Sequence, residues 1–345
     1  MAFTTTAPAP SSVGGTHPAT RSAHQVSADA SGVVGSDQLS NSALRTFLHG
    51  LPGVDAVGLA GRAAQLGSRS IKTTAKAWGL DTVISMIDLT TLEGADTPGK
   101  VRSLVAKART PQPDDPSCPR PAAVCVYGDR VQIAKEALGG APIAVAAVAT
   151  GFPAGRAGTA ARLADTQDAV DAGADEIDMV IDRGAFLAGN YRKVYDDIVA
   201  IREVCQSRAE PAHLKVILET GELATDDNVR RASWLAMLAG ADFIKTSTGK
   251  VSPAATLPVT VLMLEAVRDF LAATGVQVGV KPAGGIRSAK DALKYLVAVN
   301  EVAGEAWLDP EFFRFGASSL LNDVLLQRLK LASGVYSGTD YVTID

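Results

Sequence analysis

From about residue 82 onward, short apolar runs alternate with longer stretches whose apolar residues recur at helical spacing. The short runs fall at 83–87, 122–126, 143–148, 176–181, 214–218, 243–246, 278–280 and 313–316. Helical patterns lie between them, for example at 161–172, 190–207, 227–238, 256–273, 289–299 and 319–331. Runs this short predict buried strands, and the 3.6-residue period predicts helices packed against them. Their alternation predicts parallel βαβ units. Eight such units over roughly 250 residues fit a closed (β/α)₈ barrel, a TIM barrel of the α/β class. An open doubly wound sheet is the alternative. It would carry a Gly-rich loop after its first strand, and "MIDLTTLEG" holds no G-x-G-x-x-G.

The ends read differently. Residues 1–38 are rich in Ala, Ser, Thr, Gly and Pro, which predicts a disordered extension. They hold no apolar h-region, so a secretory signal is not expected. Residues 39–80, with Leu44, Phe47 and Leu48 at helical spacing, predict a helical preface. The barrel domain is expected over 81–335 and a tail over 336–345.

Two stretches echo each other. Ala172 to Asp178 and Ala239 to Lys245 share the form A-G-A-D-x-I-polar. Each Gly is expected to stop a helix in the left-handed conformation. Asp178 and Lys245 then lie at equal depth, each the fifth residue past its glycine. Alternation along a strand lets both point the same way. With Lys281 in "VGVKPAGG", three charged residues stand in apolar strands, where a charge is costly unless paired or used.

If the strand count holds, Lys245 and Lys281 sit on consecutive strands, about 4.8 Å apart. Ammonium groups about 5 Å apart at an effective dielectric of about 20 repel by about 3 kcal/mol, or roughly two pKa units. Partial burial acts the same way, so one lysine is expected to lose its proton near neutral pH. A neutral amine beside a second cation can form a Schiff base. Asp178 could move protons directly or through water. The structural alternative, an Asp–Lys pair with a spectator lysine, leaves that second lysine unpartnered.

The loops after the seventh and eighth runs, "PAGGIRS" and "FGASSLL", suggest an anion site. Gly284, Gly285 and Gly316 allow close backbone approach. Ser288 and Asp291 have capping-box spacing, and Ser318 or Ser319 could cap the following helix. Two helix N-termini with free amides would hold phosphate, where barrels commonly do. Arg287 and Lys250 could add positive charge. Glu219 in "LETGEL" could line the pocket, form a salt bridge or cap a helix. Asp88 is expected to cap a turn.

Composition narrows the chemistry. Net charge is −4 with no dense basic run, which gives no footprint for nucleic acid or an anionic membrane. No apolar stretch is long enough to span a bilayer. Cys118, Cys125 and Cys205 are scattered, which reads as reduced thiols in the cytoplasm. Cys125, inside an apolar run, is expected to be a buried core thiol. Of the four histidines, His17, His24 and His49 precede the barrel and His213 opens a strand. Zinc and Ser-His-Asp chemistry have little to draw on, and no metal is expected.

Together, "MIDLTTL", "AVCVY", "EIDMVI", "ETGEL", "DFIKTSTGK", "KPAGGIRSAKDA" and "RFGASSLL", in this order over about 80–332, resemble the deoxyribose-phosphate aldolases. The resemblance implies a class I aldolase on a TIM barrel. Such enzymes interconvert 2-deoxy-D-ribose 5-phosphate with D-glyceraldehyde 3-phosphate and acetaldehyde, in deoxyribonucleoside catabolism. It implies Lys245 as the Schiff-base lysine, Lys281 as the lysine that tunes it and Asp178 as the proton relay. It further implies Gly249, Lys250, Gly284, Gly285, Arg287, Gly316, Ser318 and Ser319 as phosphate ligands, and Asp88 as a pocket acid beside the substrate hydroxyls. The expected partner is a small phosphosugar, with no cofactor beyond the lysine imine. A homodimer or larger homo-oligomer is left open. Some bacterial members end in a tyrosine that reaches the site. Here Tyr341 is followed by four residues, so neither it nor Tyr336 is assigned that role. The rivals are another Schiff-base barrel lyase or a transaldolase-like enzyme, a non-catalytic phosphosugar-binding protein, and a metal-dependent aldolase.

Overall fold

A computed structural model of the chain describes residues 39–338. The expectations for 1–38 and for Tyr341 lie outside the described residues. Among the described residues three helices come first: α1 (Asn41–His49), α2 (Ala56–Gly67) and α3 (Thr73–Ser85). The Ser40 hydroxyl caps α1 by accepting from the Ala43 amide. Leu44, Phe47 and Leu48 of α1 are buried, at the i, i+3, i+4 spacing of one helix face. Phe47 meets the Trp234 ring at 5.7 Å between centroids, which seats the preface on the barrel wall.

The barrel strands are β1 (Ile87–Thr90), β2 (Ala123–Tyr127), β3 (Ala144–Ala149), β4 (Glu176–Val180), β5 (His213–Ile217), β6 (Phe243–Lys245), β7 (Gly279–Lys281) and β8 (Phe315–Ala317). All paired neighbours are parallel, in the order β7-β6-β5-β4-β3-β2-β1-β8. The ends join through bridges at Val280–Phe313 and Ala283–Gly316, with the Arg314 amide donating to the Val280 carbonyl at 3.1 Å. The barrel is closed. The doubly wound alternative is excluded.

Helices follow the strands on the outside: α4 (Pro98–Arg109), α5 (Val131–Leu138), α6 (Thr159–Asp171), α7 (Arg183–Leu187), α8 (Tyr191–Cys205), α9 (Asp226–Leu238), α10 (Leu257–Thr274), α11 (Ala289–Ala298) and α12 (Leu320–Ser333). Outward strand residues such as Val124, Val145, Ile177, Leu214 and Ile244 join the buried layer under these helices. Each such side chain adds about 1.5–3 kcal/mol.

The glycine echo is structural. Gly173 and Gly240 have φ of 98° and 93°. The Ala174 amide donates to the Ala169 carbonyl at 3.0 Å, and the Ala241 amide to the Ala236 carbonyl at 3.1 Å. These are the six-to-one bonds of a Schellman stop, and they begin β4 and β6 at the same offset.

The first run needs correction. Val83 to Ser85 belong to α3, and the strand starts at Ile87. A five-residue, mostly apolar run suits either period. Here Leu80, Val83 and Ile84 bury one helical face, so the helix continues. The eighth strand likewise starts later, at Phe315, with Phe313 held by an isolated bridge.

Candidate active site

Residues two apart on a strand share a face. Inside this barrel that rule aligns Glu176 with Asp178, Phe243 with Lys245, and Gly279 with Lys281. Asp88 of β1 and Lys215 of β5 complete an interior that is charged on one side. On the other side Cys125, Ala146 and Val148 make a small apolar patch. Gly279 is needed for packing, since a Cβ there would stand 2.4 Å from the Phe243 ring.

Lys245 and Lys281 are aligned across β6 and β7. Both donate to the same oxygen, Asp178 Oδ2, each at 2.8 Å. Lys281 also pairs with Asp88 Oδ2 at 2.5 Å. Arg314, just before β8, donates to Asp88 Oδ1 at 2.8 Å and to Glu176 Oε1 at 3.0 Å. Lys215 pairs with Glu176 Oε2 and lies 3.4 Å from Asp178 Oδ1. These seven groups form one buried network.

Burial opposes each charge in it. For Asp178, burial raises the carboxyl, but Lys245, Lys281 and Lys215 outweigh it and hold it well below the usual range. For Asp88 the burial effect is likewise overcome by Lys281, Arg314 and Lys215. Burial would lower Lys281, yet Asp178 and Asp88 hold its ammonium charged to well above the ordinary lysine range. So the cation expected beside the reactive amine is Lys281. Cys125 Sγ lies 4.0 Å from Asp178 Oδ2, and burial pushes its thiol up, so it stays neutral.

A cavity of about 500 Å³ opens at the C-terminal strand ends. Of the seven network groups, only Lys245 is on its wall. Gly249, Lys250, Gly284, Gly285, Arg287, Gly316, Ser318 and Ser319 all line it. Gly249, Gly284 and Gly285 have φ of 80°, 79° and 86°, which turns the backbone of both loops toward this space. Ser288 caps α11 through the Asp291 amide and donates to the Asp291 carboxylate at 2.7 Å. Ser319 stands at the start of α12, but its hydroxyl makes no cap bond, and both Ser318 and Ser319 are exposed. That helix start keeps free amides and free hydroxyls beside the cavity.

Other expectations change. Asp88 caps no turn and does not reach the cavity wall; it is fully buried as the counterion of Lys281 and Arg314. Glu219 does not line the cavity either. It has φ 54° and accepts from the Thr248 amide at 3.3 Å and the Thr248 hydroxyl at 2.5 Å, bracing the loop after Lys245. Burial raises its carboxyl despite those bonds. Tyr336 is exposed beneath Lys330, whose Nζ is 3.4 Å from the ring centroid. Lys215, Glu176 and Arg314 were not singled out in the sequence. The available signal was the one that exposed Lys245: a charge between apolar neighbours, as in "HLKVI" and "FFRFG".

A model of the DeoC/LacD family aldolases matches residues 82–325. Deoxyribose-phosphate aldolase of Homo sapiens is 47% identical over 289 residues, covering 80% of this chain and 89% of its own. The Mus musculus protein of that name is 47% identical over 288 residues, with the same coverage. The tetrameric deoxyribose phosphate aldolase of Aeropyrum pernix superposes with a TM-score of 0.56 at 25% identity, covering 80% of this chain and 99% of its own.

Proposed function

Because the chain belongs to the DeoC/LacD family of aldolases, we propose that it reversibly cleaves 2-deoxy-D-ribose 5-phosphate to D-glyceraldehyde 3-phosphate and acetaldehyde. The carrying observation is that one amine of a buried charge network, Lys245, opens into a cavity rimmed by glycines, hydroxyls and cations. The substrate itself is taken from the relatives.

In this reading, neutral Lys245 attacks C1 of the open-chain sugar phosphate. Loss of water gives a protonated imine, an electron sink. Asp178, 2.8 Å from the Lys245 nitrogen, takes the C3 hydroxyl proton through a water. The C2–C3 bond breaks, its electrons form the enamine, and glyceraldehyde 3-phosphate leaves. Asp178 returns that proton through the water to C2 of the enamine, and hydrolysis of the imine returns acetaldehyde and the free amine. Lys281 stays charged throughout and returns Asp178 to its anionic form between proton transfers. Gly249, Lys250, Gly284, Gly285, Arg287, Gly316, Ser318 and Ser319 hold the phosphate, so binding far from the bond aligns it. The imine needs no metal, and activity is expected to survive a strong chelator. The reaction belongs to deoxyribonucleoside breakdown in the cytoplasm. Among the described residues no helix is long and apolar enough to cross a membrane.

The test is borohydride reduction in the presence of acetaldehyde, followed by mass mapping. The adduct is expected on Lys245. An adduct on another lysine overturns the assignment, and binding of the sugar phosphate with no adduct favours a non-catalytic phosphosugar binder.

A further inference from the structure

Barrel interiors are usually filled by branched apolar side chains, and polar groups in their N-terminal half are read as structural. This barrel buries Lys215, Glu176 and Arg314 there instead, at 0%, 3% and 3% exposure. Buried ion pairs are poor stabilisers, because desolvation offsets much of the attraction. The Phe243 ring fills the space between them, with Lys215 Nζ 5.7 Å and the Arg314 guanidinium carbon 5.8 Å from its centroid. That ring stands two residues before Lys245 on the same strand face. Each of the three is tied to the catalytic end: Lys215 to Asp178, Arg314 to Asp88, and Glu176 to both cations.

The whole network holds four cations, Lys215, Lys245, Lys281 and Arg314, against three carboxylates, Asp88, Asp178 and Glu176. One positive charge is left over. Lys281 and Arg314 are each held between two carboxylates, and Lys215 likewise touches Glu176 and Asp178. Lys245 has one carboxylate, Asp178 Oδ2, and shares it with Lys281. Glu311 adds a weaker attraction at Arg314, at the end of the barrel away from Lys245. The remaining charged or titratable neighbours are the neutral Cys125 thiol, Glu219 beneath the following loop, and Glu93, Lys100, Lys250 and Arg287 around the cavity. Of these, Glu93 and Lys250 neutralise each other at 2.7 Å.

We propose that Lys215, Glu176 and Arg314 are positioning residues that set the charge balance of the catalytic end, leaving the surplus positive charge on Lys245, from which it departs as a proton. This rests on the reading of Lys245 as the imine-forming amine. It adds that the amine's reactivity is set by groups that never meet substrate.

The test is trace acetylation of the full-length chain with acetic anhydride across pH, with the Lys245 peptide quantified by mass spectrometry. It needs no aldolase activity. Lys215→Met removes a cation and should move the midpoint of Lys245 labelling up by about one pH unit. Glu176→Gln removes an anion and should move it down by about as much. The double variant restores the balance and should return the midpoint to that of the parent, and Lys215→Arg, which keeps the charge, should leave it in place. Where Lys215→Met does not fold, the downward shift in Glu176→Gln carries the decision. Unmoved midpoints in the single variants, or a double variant displaced further than either, would overturn the proposal. Acetaldehyde trapping on the parent separates the two readings. No adduct with shifted midpoints sinks only the aldolase, and an adduct on Lys245 with fixed midpoints sinks only the charge balance.

Discussion

Lys245 and Lys281 donate to one and the same oxygen, Oδ2 of Asp178, each at 2.8 Å. A single carboxylate oxygen thus joins the amine that faces the cavity to the cation fixed behind it. Asp88 supplies the second anchor for Lys281, which keeps the charge on that lysine.

Lys245→Leu is expected to abolish the borohydride-trapped acetaldehyde adduct and to lower kcat to background. Retention of an adduct at any other position would contradict the assignment.

Lys281→Leu removes the neighbouring cation, so the proton on the reactive amine is held to higher pH. Turnover should fall, and the acidic limb of the kcat/KM profile should move upward by about one to two pH units. A profile that falls in height without moving would assign Lys281 a structural role only.

Asp178→Asn keeps the shape of the side chain but not its basicity. We expect kcat/KM to drop by about 10²- to 10⁴-fold, the usual contribution of a positioned acid–base group. Single-turnover trapping should still form some imine, since Lys245 remains.

The Asp88 and Asp178 carboxyls are held below their ordinary values, so their contribution to stability is complete above about pH 4. It is lost as the pH falls below that, toward their folded-state values. Urea midpoints should therefore be flat with respect to these groups down to about pH 4 and decline below it. Asp88→Asn should flatten that acidic decline, as well as lowering stability at neutral pH by leaving Lys281 and Arg314 short of a partner.

Gly279→Ala places a methyl 2.4 Å from the Phe243 ring, against a neighbour that also supports Lys215 and Arg314. It should destabilise the fold by about 1–3 kcal/mol, read as a lower urea midpoint. An unchanged midpoint would show that the ring can move aside.

Much of this was written locally in the chain. Windows of five to fifteen residues fixed the strand–helix alternation, the glycine stops at Gly173 and Gly240, the Ser288 cap and the polar residues inside apolar strands. Such windows suffice because backbone period, caps and left-handed glycines depend on near neighbours. They misjudged Val83 to Ser85, where a short apolar run fits both periods and only the surface it covers decides.

Partnership was decided elsewhere. Arg314 reaches Asp88 across 226 positions and Glu176 across 138, and Lys281 reaches Asp178 across 103. Those separations close because β8 pairs with β1, the sheet curls round on itself and strand register turns alternate residues inward. The curled sheet buries Asp88 as a counterion, the β4–β5 register draws Lys215 into the network, and Lys245 is left as the one network group at the cavity wall. A charge in an apolar strand announces a cost in the sequence; which groups meet that cost depends on the depth at which distant strands align, and only the closed barrel specifies it.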